Sequence, residues 1–370
     1  MREYRDYLAR TAGVTQKQLH ALLSKEKGDR TMRAMVLEAI SPVEEKPLKL
    51  VDLPKPVPGR GQILIKVSAC GICHTELDEI EGRVAPSGLP MILGHEIVGR
   101  VEALGIRAGR FKKGDRVGIA WINWACGKCC FCLKDQENLC DTAKWTGKDA
   151  PGGYAEYTVV SEDFAYAIPE RFTDVKAAPL LCAGVIGYRA LRLSGMEDGK
   201  VLGLYGFGAS AHIVIQVAKH KYPNDKVFVF TRPQQKEHQD LARKLGADWI
   251  GATGDTPPEK LDCAIDFTPV GEPVREALRN LQKGGRVVIN AIRKTTPIRE
   301  LDYTEHLWYE KEVKSVANVT RRDAQEFLPL AAEIPIVPET QEFKLEEANE
   351  ALILLKEGKI RGAGVLRITA

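Results

Sequence analysis

Four cysteines, Cys126, Cys129, Cys132 and Cys140, are spaced Cys-x2-Cys-x2-Cys-x7-Cys. Thiolates this close along a chain can wrap one zinc ion as a tetrahedron, and four protein ligands leave no position for a substrate, so the cluster predicts a structural metal site. Cys130 falls outside the spacing and is read as a bystander thiol. Ligand-type side chains recur at three other places: Cys73 and His74 within Cys70-Gly71-Ile72-Cys73-His74-Thr75-Glu76, His95 within Gly94-His95-Glu96, and Cys182 within Leu181-Cys182-Ala183. Each alone is a weak signal, because a single cysteine or histidine is more often core packing than a ligand. A third chemical signal is the turn Gly206-Phe207-Gly208-Ala209-Ser210-Ala211 after the apolar run 201–205. Small residues there let a pyrophosphate approach the N-terminus of the following helix.

The elements that must position these residues divide the chain. Residues 1–33 are polar and read as an N-terminal extension without assigned function. From about 34 to 183, short Val/Ile-rich runs (63–67, 97–101, 116–119) are separated by Pro and Gly turns, the pattern of a mainly β domain. From 184 to 317, apolar strands (201–205, 227–230, 263–267, 286–289) alternate with helix-length stretches, which implies a parallel sheet with crossover helices. Residues 318–370, with an amphipathic helix over 345–358 and a strand over 364–368, are expected to return to the first domain. The fold class is therefore α/β, a β-rich domain beside a doubly wound, Rossmann-type parallel sheet. The active site is expected in the cleft between them.

Composition excludes several classes. The chain has 370 residues, 44% of them hydrophobic and 28% charged, and 53 basic residues nearly balance 50 acidic ones without forming a stripe, so nucleic acid is not an expected partner. The uncharged run 201–218 contains Gly203, Gly206, Gly208 and His212 and reads as strand, turn and helix, not as a membrane span. Arg2, Glu3, Arg5, Asp6 and Arg10 interrupt the start, which has no signal-peptide core; the cytoplasm is the expected compartment. Five of nine cysteines crowded into residues 126–140 of a large chain suggest metal, not disulfides.

Taken together, the four-cysteine lobe, the Cys-His, Gly-His-Glu and Cys182 segments and the following βαβ region resemble the medium-chain, zinc-containing alcohol dehydrogenase family from about residue 35 to 368. The resemblance implies a GroES-like catalytic domain and two zinc ions per subunit. It assigns Cys73, His95 and Cys182 to a catalytic zinc with one open position, Glu96 as an auxiliary group that approaches this metal, and Cys126, Cys129, Cys132 and Cys140 to a structural zinc. It makes Thr75 the acceptor of the alcohol proton and Glu76 the residue that orients His95. Asp78 stands where many members end the proton relay with a histidine. It implies cofactor contacts from His74, Gly206, Gly208, Ala209, Ser210, Ala211 and the C-terminal Arg361, and a substrate-pocket position for Trp121.

The strand at 227–230 ends in Thr231 and Arg232, where members that prefer NAD present an acid to the ribose. The pair is read as a site for the 2′-phosphate of NADP, with NAD as the alternative. The expected activity is reversible hydride transfer between a small primary or secondary alcohol and NAD(P), giving an aldehyde or ketone, in a homodimer or homotetramer. The alternatives are a cinnamyl- or polyol-type dehydrogenase of the same fold, or a non-catalytic protein that binds zinc and nucleotide.

Overall fold

The computed structural model describes residues 31–334, 336–360 and 362–368. These residues divide into two units, one up to Cys182 and again from Pro338 onward, the other Ala183–Val337.

In the first unit, β1 (Thr31–Leu37), β2 (Leu48–Pro54) and β4 (Met91–Ile92) form a small sheet. A larger sheet is built around β3 (Gln62–Ile72), which pairs antiparallel with β5 (Ile97–Leu104), β9 (Tyr157–Ser161) and β18 (Ala363–Arg367). It extends through β6 (Arg116–Ile119) and β10 (Ala165–Ala167) on one side and β17 (Thr340–Lys344) on the other. Ile63, Ile65, Val67 and Ala69, spaced by two along β3, are all fully buried, as one face of a half-covered strand requires. β3 runs directly into α1 (His74–Ile80), with Cys73 at the junction. β7 (Ile122–Trp124) and β8 (Lys144–Trp145) form a separate two-stranded ribbon, and the four-cysteine segment is the loop between them.

In the second unit, β11 (Val201–Tyr205), β12 (Lys226–Thr231), β13 (Trp249–Ala252), β14 (Leu261–Asp266), β15 (Leu281–Ile289) and β16 (Glu312–Ser315) make one all-parallel sheet in the order β13-β12-β11-β14-β15-β16. Every residue of β11 is buried, because helices cover both faces of such a sheet. The chain builds outward from β11 to β13 and resumes at β14 on the other side. The turn after β11 therefore sits at the switch point, where doubly wound sheets bind ligands. Tyr205 and Phe230 stack at 4.0 Å in the core beneath it.

The return to the first unit comes later than residue 318. The helix Arg321–Glu333 packs on Ala183–Ser194 within the second unit: Arg189 and Arg192 donate to the buried Asp323 at 2.7 and 2.6 Å, and the Tyr188 hydroxyl donates to Glu326 at 3.1 Å. Two arginines converging on one carboxylate fix that helix where its apolar face, Ala324, Phe327, Leu328 and Ala331, is buried. Among the described residues, no helix is long and apolar enough to cross a membrane.

Candidate active site

Three stretches of the first unit bring the ligand-type residues together. β3 delivers Cys73 to the N-cap of α1. The segment between β4 and β5 carries His95 and Glu96, and Cys182 follows the short helix Ala178–Leu181. The ligand atoms of Cys73, His95, Glu96 and Cys182 all lie within 4.8 Å of one another. The Cys73 and Cys182 sulfurs are 3.9 Å apart. Two thiolates at the usual zinc–sulfur distance of about 2.3 Å and a tetrahedral angle stand about 3.8 Å apart, so this edge fits zinc.

The imidazole supplies an independent test of fit. His95 is 1% exposed; its Nδ1 lies 2.5 Å from Glu76 Oε1, while its Nε2 is buried with no hydrogen-bond partner. A buried polar nitrogen without a partner is costly, and a metal ion is the partner the arrangement suits. Glu76 is itself fully buried; its second oxygen accepts the Cys73 backbone N–H at 2.8 Å, the return bond of a capping box at the start of α1. One carboxylate thus fixes both the His95 ring and the Cys73 backbone.

Electrostatics follow from burial and these contacts. The hydrogen bond with Cys182 draws the Cys73 thiol well below its ordinary pKa against the cost of burial, and Cys182, sharing that hydrogen, is pushed well up. Burial would lower His95, but the Glu76 carboxylate and Cys73 outweigh it and hold the imidazole pKa well above normal. Burial drives Glu96 well above the usual carboxylate range. Its side chain lies against Gly71, where a Cβ would fall 1.9 Å from Glu96 Oε2. Glycine at 71 is therefore the condition for Glu96 to reach the ligand cluster, a role the sequence reading missed. The Cys-Gly-x-Cys string was its only trace.

The remaining expected residues are distributed around this cluster. The Thr75 hydroxyl is buried 3.6 Å from Cys73 Sγ, while His74 is exposed. Asp78 is buried one turn along α1 and pairs with Arg83 Nε at 2.5 Å. The Trp121 ring lies 6.0 Å from that of His95 and 4.7 Å from the Trp145 ring, a residue the sequence reading did not single out.

In the loop between β7 and β8, the sulfurs of Cys126, Cys129, Cys132 and Cys140 also lie within 4.8 Å of one another, Cys126 and Cys132 at 3.8 Å. The backbone N–H groups of Lys128 and Cys129 point at Cys126 Sγ and lower its pKa, which favours the thiolate form a zinc ion binds. Cys130 is exposed.

In the second unit, Gly206 follows β11 with φ of +84°, a conformation that favours glycine. A Cβ on Gly208 would meet open space. Ala209 and Ser210 lead into the helix Ala211–Lys221, and the Ser210 hydroxyl donates to the Ala183 carbonyl at 2.7 Å. Thr231 is 2% exposed and its hydroxyl accepts from Gln239 Nε2 at 3.2 Å, whereas Arg232 is exposed. Arg361 lies outside the described residues.

Comparison with known proteins agrees with this architecture. Residues 59–170 match the family model for the alcohol dehydrogenase GroES-like domain. The chain is 43% identical to a probable alcohol dehydrogenase, AdhA, of Mycobacterium tuberculosis (strain CDC 1551 / Oshkosh), over 91% of this chain and 98% of that protein. Among solved structures, a cinnamyl alcohol dehydrogenase from Sorghum bicolor superposes with a TM-score of 0.81 at 28% identity, covering 91% of this chain and 98% of that one. A cobalt- and zinc-bound thermostable alcohol dehydrogenase from Pyrobaculum aerophilum gives 0.80 at 25% identity, covering 91% and 100%. With near-complete coverage at this identity, and with the GroES-like and Rossmann-type units both in place, the chain belongs to the medium-chain, zinc-containing alcohol dehydrogenase family.

Proposed function

We propose that this alcohol dehydrogenase carries a reactive zinc on Cys73, His95 and Cys182 and a structural zinc on Cys126, Cys129, Cys132 and Cys140. The carrying observation is the buried, unpartnered Nε2 of His95 facing two sulfurs 3.9 Å apart. Zinc bound there acts as a Lewis acid that lowers the pKa of an alcohol and, in the reverse direction, polarises a carbonyl. A nicotinamide cofactor held at the turn after β11 would supply the hydride acceptor. Thr75 Oγ1, beside Cys73, takes the proton the alcohol loses, and Glu76 keeps His95 in the tautomer that turns Nε2 toward the metal. Asp78, one turn along α1 and paired with Arg83, stands where many members of the family end the relay with an imidazole. Glu96 is a reserve ligand, reaching the cluster over Gly71. A non-catalytic zinc protein would have no use for a three-residue shell of this kind.

The pyrophosphate is bound by Gly206, Gly208, Ala209, Ser210 and Ala211, with His74 and Arg361 as further phosphate contacts. NADP is favoured over NAD: no acid stands at the end of β12, the Thr231 hydroxyl is engaged by Gln239, and the Arg232 guanidinium is exposed for a 2′-phosphate. Trp121 beside His95 favours short-chain primary alcohols; a cinnamyl-type substrate is the second reading, carried by the Sorghum bicolor neighbour. Nine free thiols, eight of them in two clusters or buried, suit a reducing cytoplasm. A homodimer or homotetramer is supported by β16, a wholly exposed strand at the end of the sheet order, and by exposed Tyr303, Trp308 and Tyr309 nearby in the chain. Turnover of ethanol, benzyl alcohol and a polyol with NAD and NADP, alongside zinc analysis, tests the reading. Two zinc ions per chain and ethanol oxidation with NADP are expected; a single zinc in fully active protein overturns it.

A further inference from the structure

The four-cysteine lobe and the two indoles nearest His95 share one short piece of backbone. β7 and β8 are three and two residues long, paired Ile122↔Trp145 and Trp124↔Lys144, and the whole lobe is the loop that joins them. Trp121 stands at the outer end of this ribbon and Trp145 closes β8. Their rings are 4.7 Å apart, and Trp121 is 6.0 Å from His95. Both indoles are partly exposed. The ribbon is knotted at this end: Thr146 N–H donates to the Trp121 carbonyl at 2.7 Å, the Thr146 hydroxyl to the Ala120 carbonyl at 3.0 Å, and the Trp145 carbonyl accepts Asp149 N–H at 2.8 Å. Two paired positions hold the ribbon, with Ile122 buried, so the long loop that joins its strands is a further constraint on how they align.

We propose that the thiolate lobe is a clasp for the substrate pocket: closing it around its metal holds Trp145 against Trp121 beside His95, and this indole pair sets the size of alcohol admitted. Trp145 is then a specificity-determining residue, and each lobe cysteine a positioning residue acting through the ribbon. The inference rests on the proposed alcohol pocket. It goes further by giving the structural metal a role in selectivity as well as in folding.

The test compares kcat/KM for ethanol and for 4-phenylbutanol, using the full chain loaded with zinc. Trp145→Ala is expected to raise the ratio of bulky to small substrate by about tenfold or more, the scale on which pocket volume discriminates. Cys140→Ala, retaining one zinc, is expected to move the ratio in the same direction and to lose the exciton signal of two touching indoles in circular dichroism. An unchanged ratio in Trp145→Ala overturns the proposal, as does a folded Cys140→Ala that keeps both ratio and signal. If Cys140→Ala does not fold, chelation of Cys182→Ala, which retains the lobe cysteines, decides: the indole signal should fall in step with zinc release, and a signal that survives release overturns the clasp. Absence of alcohol turnover by the wild type counts against the functional reading alone, since the chelation measurement needs no turnover.

Discussion

Glu76→Gln is the sharpest single perturbation of the reactive site. In the wild type, one carboxylate serves two donors, His95 Nδ1–H at 2.5 Å and Cys73 N–H at 2.8 Å, with no exposure to water. Glutamine fills the same volume but has one acceptor oxygen, so its amide N–H groups must confront one of the two donors. The lost hydrogen bond to a charged group is worth about 1.5–3 kcal/mol. Removing the group that orients a metal-bound imidazole typically weakens the metal by about 10- to 100-fold, or about 1.4–2.7 kcal/mol, and the two estimates agree. Chelator competition read with a zinc-sensitive dye measures it, and the lobe zinc, whose ligands do not touch Glu76, is the internal control. One zinc of the two should leave at a 10- to 100-fold lower chelator strength while circular dichroism stays native. If both ions leave at wild-type chelator strength, Glu76 does not hold the metal site through His95.

Cys182→Ala should bind one zinc per chain and lose turnover; zinc analysis with an alcohol assay checks this, and unchanged turnover refutes the ligand assignment. Arg232→Ala should raise KM for NADPH about 10- to 100-fold with little change for NADH, the scale of a lost charge-assisted bond to phosphate. Thr231→Asp should move preference toward NADH, and an opposite shift would misplace the ribose site. Lys356→Met probes the ion-pair network that joins Glu81 through Arg83 to Asp78. Burial alone would raise Glu81, but hydrogen bonds from Lys356 (2.6 Å), Arg83 and the Val43 N–H bring its pKa down to about 2 from 4.5. A carboxylate with a depressed folded pKa adds stability above its unfolded pKa, and that stability fades as pH falls through about 2. Discounted for solvent screening, the variant should be about 1–2 kcal/mol less stable at pH 7 by urea unfolding, with the gap closing between pH 4.5 and 2.

What the sequence disclosed depends on how local each signal was. The lobe is one loop, so its spacing carried its geometry, and the parallel strands of the second unit announced themselves as apolar runs at the positions of β11, β12, β14 and β15. Cys73, His95 and Cys182 come from three distant stretches, and only family resemblance joined them. Contacts made in three dimensions left little trace. Trp145 meets Trp121 across a ribbon whose loop hides the pairing, and Gly71 matters only because Glu96 crosses above it. Nothing in the spacing of Asp78 and Arg83 distinguishes their ion pair from two surface charges. The boundary at 318 was set too early because an amphipathic helix declares that it has an apolar face without naming its neighbour; Asp323, receiving Arg189 and Arg192, decides the matter.

That anchoring of Arg321–Glu333 has a practical consequence for dissecting the molecule. A nucleotide-binding fragment ended at residue 317 would strand two guanidinium groups and the Tyr188 hydroxyl at a bare apolar surface, and would be expected to aggregate. Extending the fragment through Val337 keeps those groups satisfied and gives the smallest piece worth expressing for cofactor titrations.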